Sequence, residues 1–203
     1  IGHVNHTNFP LENGEMAVYD TSKLNKLLGV TSGELFLELE KTQKIFTKLI
    51  ISDMNYTLNF SLTDLLLISS VGEITESGEY DIISELDSEN ISAIIKAHNA
   101  LESDNVIINI DKNLDLQDVL VLSFGDVSNH TNKIDYQVPN TTLNNIPPGM
   151  ELPFNSSMFK TILNNNKDAT KAIMKVNTKG YVKFEFEGEG WSSYYYVVRK
   201  ADI

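Results

Sequence analysis

The sequence predicts an α+β fold built from repeated β-α-β-β-β units, and three observations lead to this prediction. Three short segments share one order of polar and apolar residues, they recur at a nearly constant spacing, and alternating apolar residues follow each of them. The chain has 203 residues, of which 41% are hydrophobic, so it has enough apolar material to bury a core. Its length suits one large domain or two smaller ones.

Each recurring segment predicts a short amphipathic helix. Each segment opens with Asp or Asn followed by Ser or Thr. Asp and Asn are favoured at the start of a helix, because their side-chain oxygens accept hydrogen bonds from the free N–H groups of the first turn. Apolar residues then follow at the spacing of one helix face. The segments begin at Asp20, Asp87 and Asn155, which are 67 and 68 positions apart. This regular spacing favours an internal repeat over a chance alignment of common cap motifs.

Alternating apolar residues predict strands on both sides of each helix. The expected strands before the helices are residues 16–19, 79–86 and 150–154. Those after the helices are residues 34–39, 45–51 and 56–62, then 105–110, 119–124 and 133–138, and finally 172–176, 181–186 and 194–199. The helix of each repeat should therefore pack on one face of an antiparallel sheet.

The repeats also predict the domain organisation. Two repeats fill residues 79–203, one lies before them, and residues 1–10 have the character of the tail of another. We expect a first domain over residues 1–64 that lacks one repeat, an interdomain connector over residues 65–78, and a second domain over residues 79–203.

Composition and charge exclude several classes of protein. A protein whose whole surface binds nucleic acid should be basic, and the net charge of -12 argues against such a surface here. The absence of cysteine excludes disulfides, thiolate zinc sites and cysteine nucleophiles. The longest apolar runs fall short of the ~20 residues that span a bilayer, and the start shows no secretion signal. No grouping of Ser, His and acidic residues stands out, so we expect no enzyme activity, no cofactor and no membrane partner.

Several weaker signals have simpler explanations. Asp111, Asn113 and Asp115 have the spacing that opens a calcium loop, but Leu116 replaces the required glycine, which favours a polar turn. We expect no metal site at His3 and His6, at a start that should fray. The other signals are assigned to structure: His98 to a half-buried site, Gly188 and Gly190 to a turn, and Trp191 with residues 194–196 to sheet packing.

Two parts of the sequence carry a resemblance to a known family. The first is the C-terminal strand pair, with residues 184–189 (FEFEGE), residues 195–198 (YYVV) and the final Ala201 and Asp202. The second is the first helical repeat, with residues 16–20 (MAVYD), Leu24, residues 27–28 and Gly29. Both are similar to the DNA polymerase sliding clamps (processivity factors) of T-even-type bacteriophages. The resemblance covers nearly the whole chain, but the first β-α-β-β-β unit of such clamps has no counterpart.

The resemblance implies a DNA-clamp fold, with antiparallel sheets outside and helices on one concave face. It implies a ring of subunits, a homotrimer in the phage proteins, that encircles duplex DNA without reading its sequence. A clamp loader would close the ring, which would then tether the replicative DNA polymerase in the cytoplasm of an infected bacterial host. The alternative is a β-rich interaction or structural module of a phage that does not bind DNA.

Three sets of site residues follow. The helices carry the lysines expected to face DNA: Lys23, Lys26, Lys96, Lys160 and Lys167. Lysines at helical spacing can contact successive phosphates, although they suit a solvated helix face equally well. The expected groove for a polymerase peptide comprises Leu65, Leu67, Val71 and Ile74, unless Leu65 and Leu67 simply end a core strand. The subunit interface is expected at two edge strands, through Tyr56, Leu58 and Phe60 on one and Ile134 and Tyr136 on the other.

Overall fold

The computed structural model describes residues 2–6, 11, 14–68, 79–125 and 132–200. Val71 and Ile74, which we assigned to the partner groove, lie outside the described residues. The helices are α1 (Thr21–Leu28), α2 (Ser88–Leu101) and α3 (Ser156–Asn165). The strands are β1 (Gly2–His6), β2 (Phe36–Thr42), β3 (Ile45–Ser52), β4 (Thr57–Ser61), β5 (Ile82–Leu86), β6 (Asn105–Lys112), β7 (Asp118–Phe124), β8 (Ile134–Val138), β9 (Thr141–Leu143), β10 (Glu151–Asn155), β11 (Lys171–Asn177), β12 (Tyr181–Gly188) and β13 (Trp191–Val198).

All three helices begin at the predicted residues. The side chain of Asp20 accepts from a backbone N–H of α1 at 2.8 Å, and that of Asp87 accepts from α2 at 2.7 Å. Asn155 accepts from the backbone N–H of Met158 at 3.0 Å. These bonds satisfy donors that have no partner within the helix, so the polar residue fixes where each helix starts.

The chain divides into two compact units, which we call the large unit (Ile1–Thr7 with Ile74–Ile203) and the small unit (Asn8–Glu73). The large unit contains two antiparallel sheets, with strand orders β1-β13-β12-β11-β5-β9 and β10-β6-β7-β8. Helices α2 and α3 pack on each other and against these sheets. Their apolar faces cover a core that includes the fully buried Ile94, Phe154, Phe159 and Phe184.

The first residues of the chain belong to the large unit. Strand β1 pairs antiparallel with β13, from Gly2 opposite Tyr195 to His6 opposite Trp191. Our expectation of a frayed start is therefore wrong for these residues, because the edge of β13 supplies hydrogen-bond partners for their backbone. Residues 2–6 therefore belong to the large unit, whereas the sequence placed them in a first domain over residues 1–64.

The small unit holds a single repeat. Its sheet has the order β2-β3-β4, and its buried cluster consists of Leu49, Ile51 and Phe60. Helix α1 contains no fully buried residue. The strand that we expected over residues 16–19 is reduced to one antiparallel bridge between Ala17 and Thr63.

Candidate nucleic-acid interface and sheet edges

The helices are depleted in acidic residues compared with the rest of the chain. Together they carry four lysines and one glutamate, whereas the whole chain has 28 acidic and 16 basic residues. Lys23, Lys26 and Lys96 are exposed, and Lys160 is half-buried. The acidic N-caps Asp20 and Asp87 are occupied by backbone N–H groups. The helices therefore carry a net positive charge in a chain that is acidic overall.

Five strand lysines, and Lys133 just before β8, pair with carboxylates, whereas the helix lysines of the described residues do not. Ion pairs join Lys48 to Glu40, Lys112 to Asp118, Lys133 to Asp135, Lys171 to Glu187, and both Lys175 and Lys183 to Glu185. Within the part of the chain that the structure describes, none of the five lysines expected to face DNA lies within ion-pair distance of a carboxylate. Their ammonium groups remain available to an anionic ligand.

Glu185 pairs with two of the strand lysines at once. Its carboxylate lies 2.6 Å from the Lys175 ammonium and 2.8 Å from the Lys183 ammonium. Burial by itself raises the pKa of Glu185, but the hydrogen bonds from these two lysines outweigh it and lower that pKa overall. The rings of Tyr194 and Tyr196 lie 5.0 and 5.5 Å from the Lys183 ammonium, so its charge is also partly covered.

Lys167 does not lie on a helix, contrary to our expectation. Helix α3 ends at Asn165, and Lys167 follows in an exposed turn. The cause is Asn166, whose side-chain amide donates to the Ile162 carbonyl at 2.7 Å and accepts from the Ser193 hydroxyl at 2.9 Å. This buried amide caps the last turn and anchors it to β13. Of the two lysines expected on α3, Lys160 lies on the helix and Lys167 lies just beyond its end.

A buried polar network joins the C-terminal end of α2 to the N-terminal end of α3. His98 Nδ1 lies 3.1 Å from Ser156 Oγ, and the Ser156 hydroxyl donates to the Ser103 carbonyl. His98 is 8% exposed, so the expected satisfied histidine is buried and not half-buried. Burial and the charge of Lys160 lower the pKa of His98, while Glu102 opposes them. The network was not predictable from the sequence, since Ser156 lies 58 residues away.

Both strands expected at the subunit interface lie at sheet edges. Strand β4 pairs with β3 alone, and β8 pairs with β7 alone, among the strands that the structure describes. Side-chain exposure differs along them: Tyr56 is 49% exposed and Leu58 half-buried, but Phe60 is buried in the small core. Ile134 and Tyr136 are half-buried against the large core. Phe60 is therefore a core residue and not an exposed contact residue of the edge.

Leu65 and Leu67 form a single exposed 3-10 turn. Asp64 caps the turn by accepting from the Leu66 backbone N–H at 2.9 Å. The exposed fractions of Leu65, Leu66 and Leu67 are 42%, 91% and 68%. The alternative that these leucines end a core strand is wrong, because β4 stops at Ser61.

The remaining signals have structural explanations. Asn113 Oδ1 accepts from the backbone N–H groups of Asp115 and Gln117, which makes the β6–β7 connection a polar turn. In the described residues no three His, Cys, Asp or Glu side chains come close enough to hold a metal ion. No helix in the same residues is long and apolar enough to cross a bilayer.

Comparisons with known proteins identify the fold. No family model and no curated protein matches this sequence. The chain is similar to the solved structure of proliferating cellular nuclear antigen (PCNA) from Entamoeba histolytica, with 18% identity, a TM-score of 0.63, and coverage of 89% of this chain and 70% of that one. It is also similar to PCNA from Thermococcus kodakaraensis, with 11% identity, a TM-score of 0.63, and coverage of 90% and 72%. The predicted α+β DNA-clamp fold is confirmed by these likenesses.

Proposed function

We propose that the chain is a subunit of a sliding clamp, which encircles duplex DNA and tethers a replicative DNA polymerase for processive synthesis. Its fold supports this function, since the structural neighbours are PCNA sliding clamps. The observation that carries the proposal is the division of charge: helix lysines lack carboxylate partners in the described chain, while five strand lysines have them. In this proposal the clamp has no catalytic role.

The chemistry of these lysines suits a sliding contact. An ammonium group on a flexible stem meets a phosphate as a point charge and reads no base sequence. The only arginine, Arg199, follows β13 and lies on no helix. Helices without the bidentate guanidinium group form weak and exchangeable phosphate contacts, so a closed ring would move along the duplex. The acidic remainder of the surface would repel non-specific nucleic acid.

The finer proposals concern assembly and partners. We propose a T-even phage type of clamp that assembles as a homotrimer, with β4 of one subunit paired to β8 of the next. A clamp loader would open and close this ring in an infected bacterial cell. The exposed turn at Leu65–Leu67 would contribute to the groove that receives the polymerase peptide.

The DNA contact is tested by removing helix charge and comparing it with strand charge. The double variant Lys96→Gln/Lys160→Gln should bind duplex DNA more weakly, and the slope of log K against log salt should fall by ~0.9 for each lost phosphate contact. The matched control is Lys112→Gln/Lys171→Gln, which removes the same charge from strand lysines that have carboxylate partners. Binding is measured by anisotropy on duplexes of unrelated sequence.

The outcome separates the two functions considered. Loss confined to the helix variant supports the clamp. Equal loss in both variants would mean that net charge alone governs binding. If the unaltered chain does not associate with duplex DNA even at low salt, the β-rich interaction module becomes the better explanation.

A further inference from the structure

The junction between α2 and α3 places a buried histidine beside one of the lysines expected to face DNA. His98, in the last turn of α2, contacts Ser156, the first residue of α3. Lys160 follows Ser156 by four residues, which is about one helical turn, so the two side chains are neighbours on the surface of α3. The charge of the Lys160 ammonium accordingly acts on the His98 ring.

The charged groups around His98 are few. Lys160 on α3 and Glu102, directly after α2, are the described groups whose charges act on its ring. Strands β5, β7 and β8 also pack on α2. Tyr136 of β8 bonds to Asn90, which lies eight residues and ~12 Å along the helix from His98. The other charged residues of α2, of these strands and of the α2–β6 connection are exposed to solvent: Glu85, Glu89, Lys96, Asp104, Asp118 and Asp135.

The hydrogen-bond network fixes where His98 takes up a proton. The Ser156 hydroxyl donates to the Ser103 carbonyl, so its oxygen accepts from His98 Nδ1, which keeps its hydrogen in both charge states. Protonation therefore occurs at Nε2 and leaves the bond between the helices in place. What changes is the charge of the ring. Burial and the positive charge of Lys160 disfavour that charge and lower the pKa of His98, whereas Glu102 acts in the opposite direction.

We propose that His98 links DNA binding on these helices to proton uptake: a phosphate held by Lys160 favours the protonated ring, and the protonated ring favours the phosphate. This inference rests on the proposed function, because it takes Lys160 as a phosphate contact. A phosphate at Lys160 compensates the ammonium charge that repels the imidazolium. Since linkage is reciprocal, the proton and the DNA each raise the affinity for the other by the same factor. Duplex DNA should therefore bind more tightly as the pH falls through the range in which His98 titrates.

The first test follows the affinity for duplex DNA with pH. Anisotropy is measured at constant salt on the unaltered chain, on His98→Asn and on the control His6→Gln, which removes an exposed histidine of β1. Asparagine keeps an N–H that can donate to Ser156 but does not titrate. From about pH 7.5 to about pH 5.5, the unaltered chain and His6→Gln should gain ~3-fold or more in affinity relative to His98→Asn. Circular dichroism at each pH checks that every variant is folded.

The second test needs no replacement of His98. NMR titration of its imidazole signals in the full chain gives the pKa of His98 directly, with and without a saturating duplex. That pKa should rise when the duplex binds. It should also rise in Lys160→Gln without DNA, because the repelling ammonium is absent.

The outcomes separate this inference from the function on which it rests. If duplex affinity falls in Lys96→Gln/Lys160→Gln but has the same pH profile in the unaltered chain and in His98→Asn, the proton linkage is wrong and the DNA contact stands. A His98 pKa that does not respond to a bound duplex likewise overturns the linkage alone. A chain that binds no duplex DNA at any of these pH values overturns the linkage and the proposed function together.

Discussion

The hydrogen bonds of Ser156 determine which nitrogen of His98 carries the proton. The Ser156 hydroxyl gives its only hydrogen to the Ser103 carbonyl, so it can only accept from His98. His98 therefore donates from Nδ1, and its neutral form is the Nδ1–H tautomer. Protonation would add charge to a buried ring, against the field of Lys160 on α3 and with partial compensation from Glu102 after α2.

This arrangement predicts a pH dependence of folding stability. The folded-state pKa of His98 is lowered from the ordinary value of 6.5, so the unfolded chain binds a proton more readily than the folded one. The stabilising contribution is complete above that value and declines as the pH falls toward the lowered pKa. The slope from this site is at most ~1.4 kcal/mol per pH unit.

The free energy of unfolding is measured with denaturant at pH values from about 7.5 to about 5, a range that brackets the unfolded-state pKa of histidine. In His98→Gln the decline in the free energy of unfolding should largely disappear, although stability at neutral pH also drops. His6→Gln removes an exposed histidine on β1 and should keep the decline. An unchanged slope in His98→Gln would show that other groups titrate in this window.

At the level of single residues, the sequence was informative about local bonds and uninformative about distant ones. Asp20, Asp87 and Asn155 were predictable as caps because each bonds within three residues of itself. The end of α3 was not, because Asn166 also bonds to Ser193 on β13. The burial of Phe60 was missed for a similar reason: alternation does not tell which face of an edge strand meets the core.

At the level of elements, the edge of β4 gives the next prediction. The Leu62 N–H donates to Thr47 and the Tyr56 carbonyl accepts from Asp53, so alternate residues from 56 to 62 bond to β3. The N–H of Asn59 therefore points away from β3. Asn59→Pro removes that donor and should raise the dissociation constant of any assembly formed through β4 by ~5-fold or more.

Asn59→Ala is the matched control, because it removes the same side chain and keeps the backbone donor. Light scattering of the two variants shows whether assemblies of the chain depend on this edge. Equal association of both Asn59 variants with the unaltered chain would exclude β4 from the subunit contact.

The sequence predicted well those elements whose own residues carry a pattern of alternating or helically spaced apolar side chains. Every strand with alternating apolar residues after a helix is present in the structure, with bounds shifted by a few residues. Strands β1 (GHVNH) and β9 (TTL) were missed, because short polar segments carry no such alternation. Their pairing is imposed by the open edges of β13 and β5. The lysine sites depended on the same local patterns, whereas the absence of carboxylate partners required the structure.

At the level of the whole molecule, the two units have very different cores. The large unit buries side chains from two helices and two sheets, and includes an aromatic cluster in which Phe159 and Phe184 lie 4.9 Å apart. The small unit buries Leu49, Ile51 and Phe60 under a helix that is only partly covered. Since apolar burial is the main stabilising contribution, the small unit should be the less stable of the two.

This difference predicts two unfolding transitions. The only tryptophan, Trp191, lies on β13, so its fluorescence reports the large unit. Amide exchange of β3 reports the small unit and should show opening at lower denaturant. The midpoint reported by Trp191 should lie at higher denaturant than the opening of β3. Coincident transitions would instead show that the units unfold as one cooperative body.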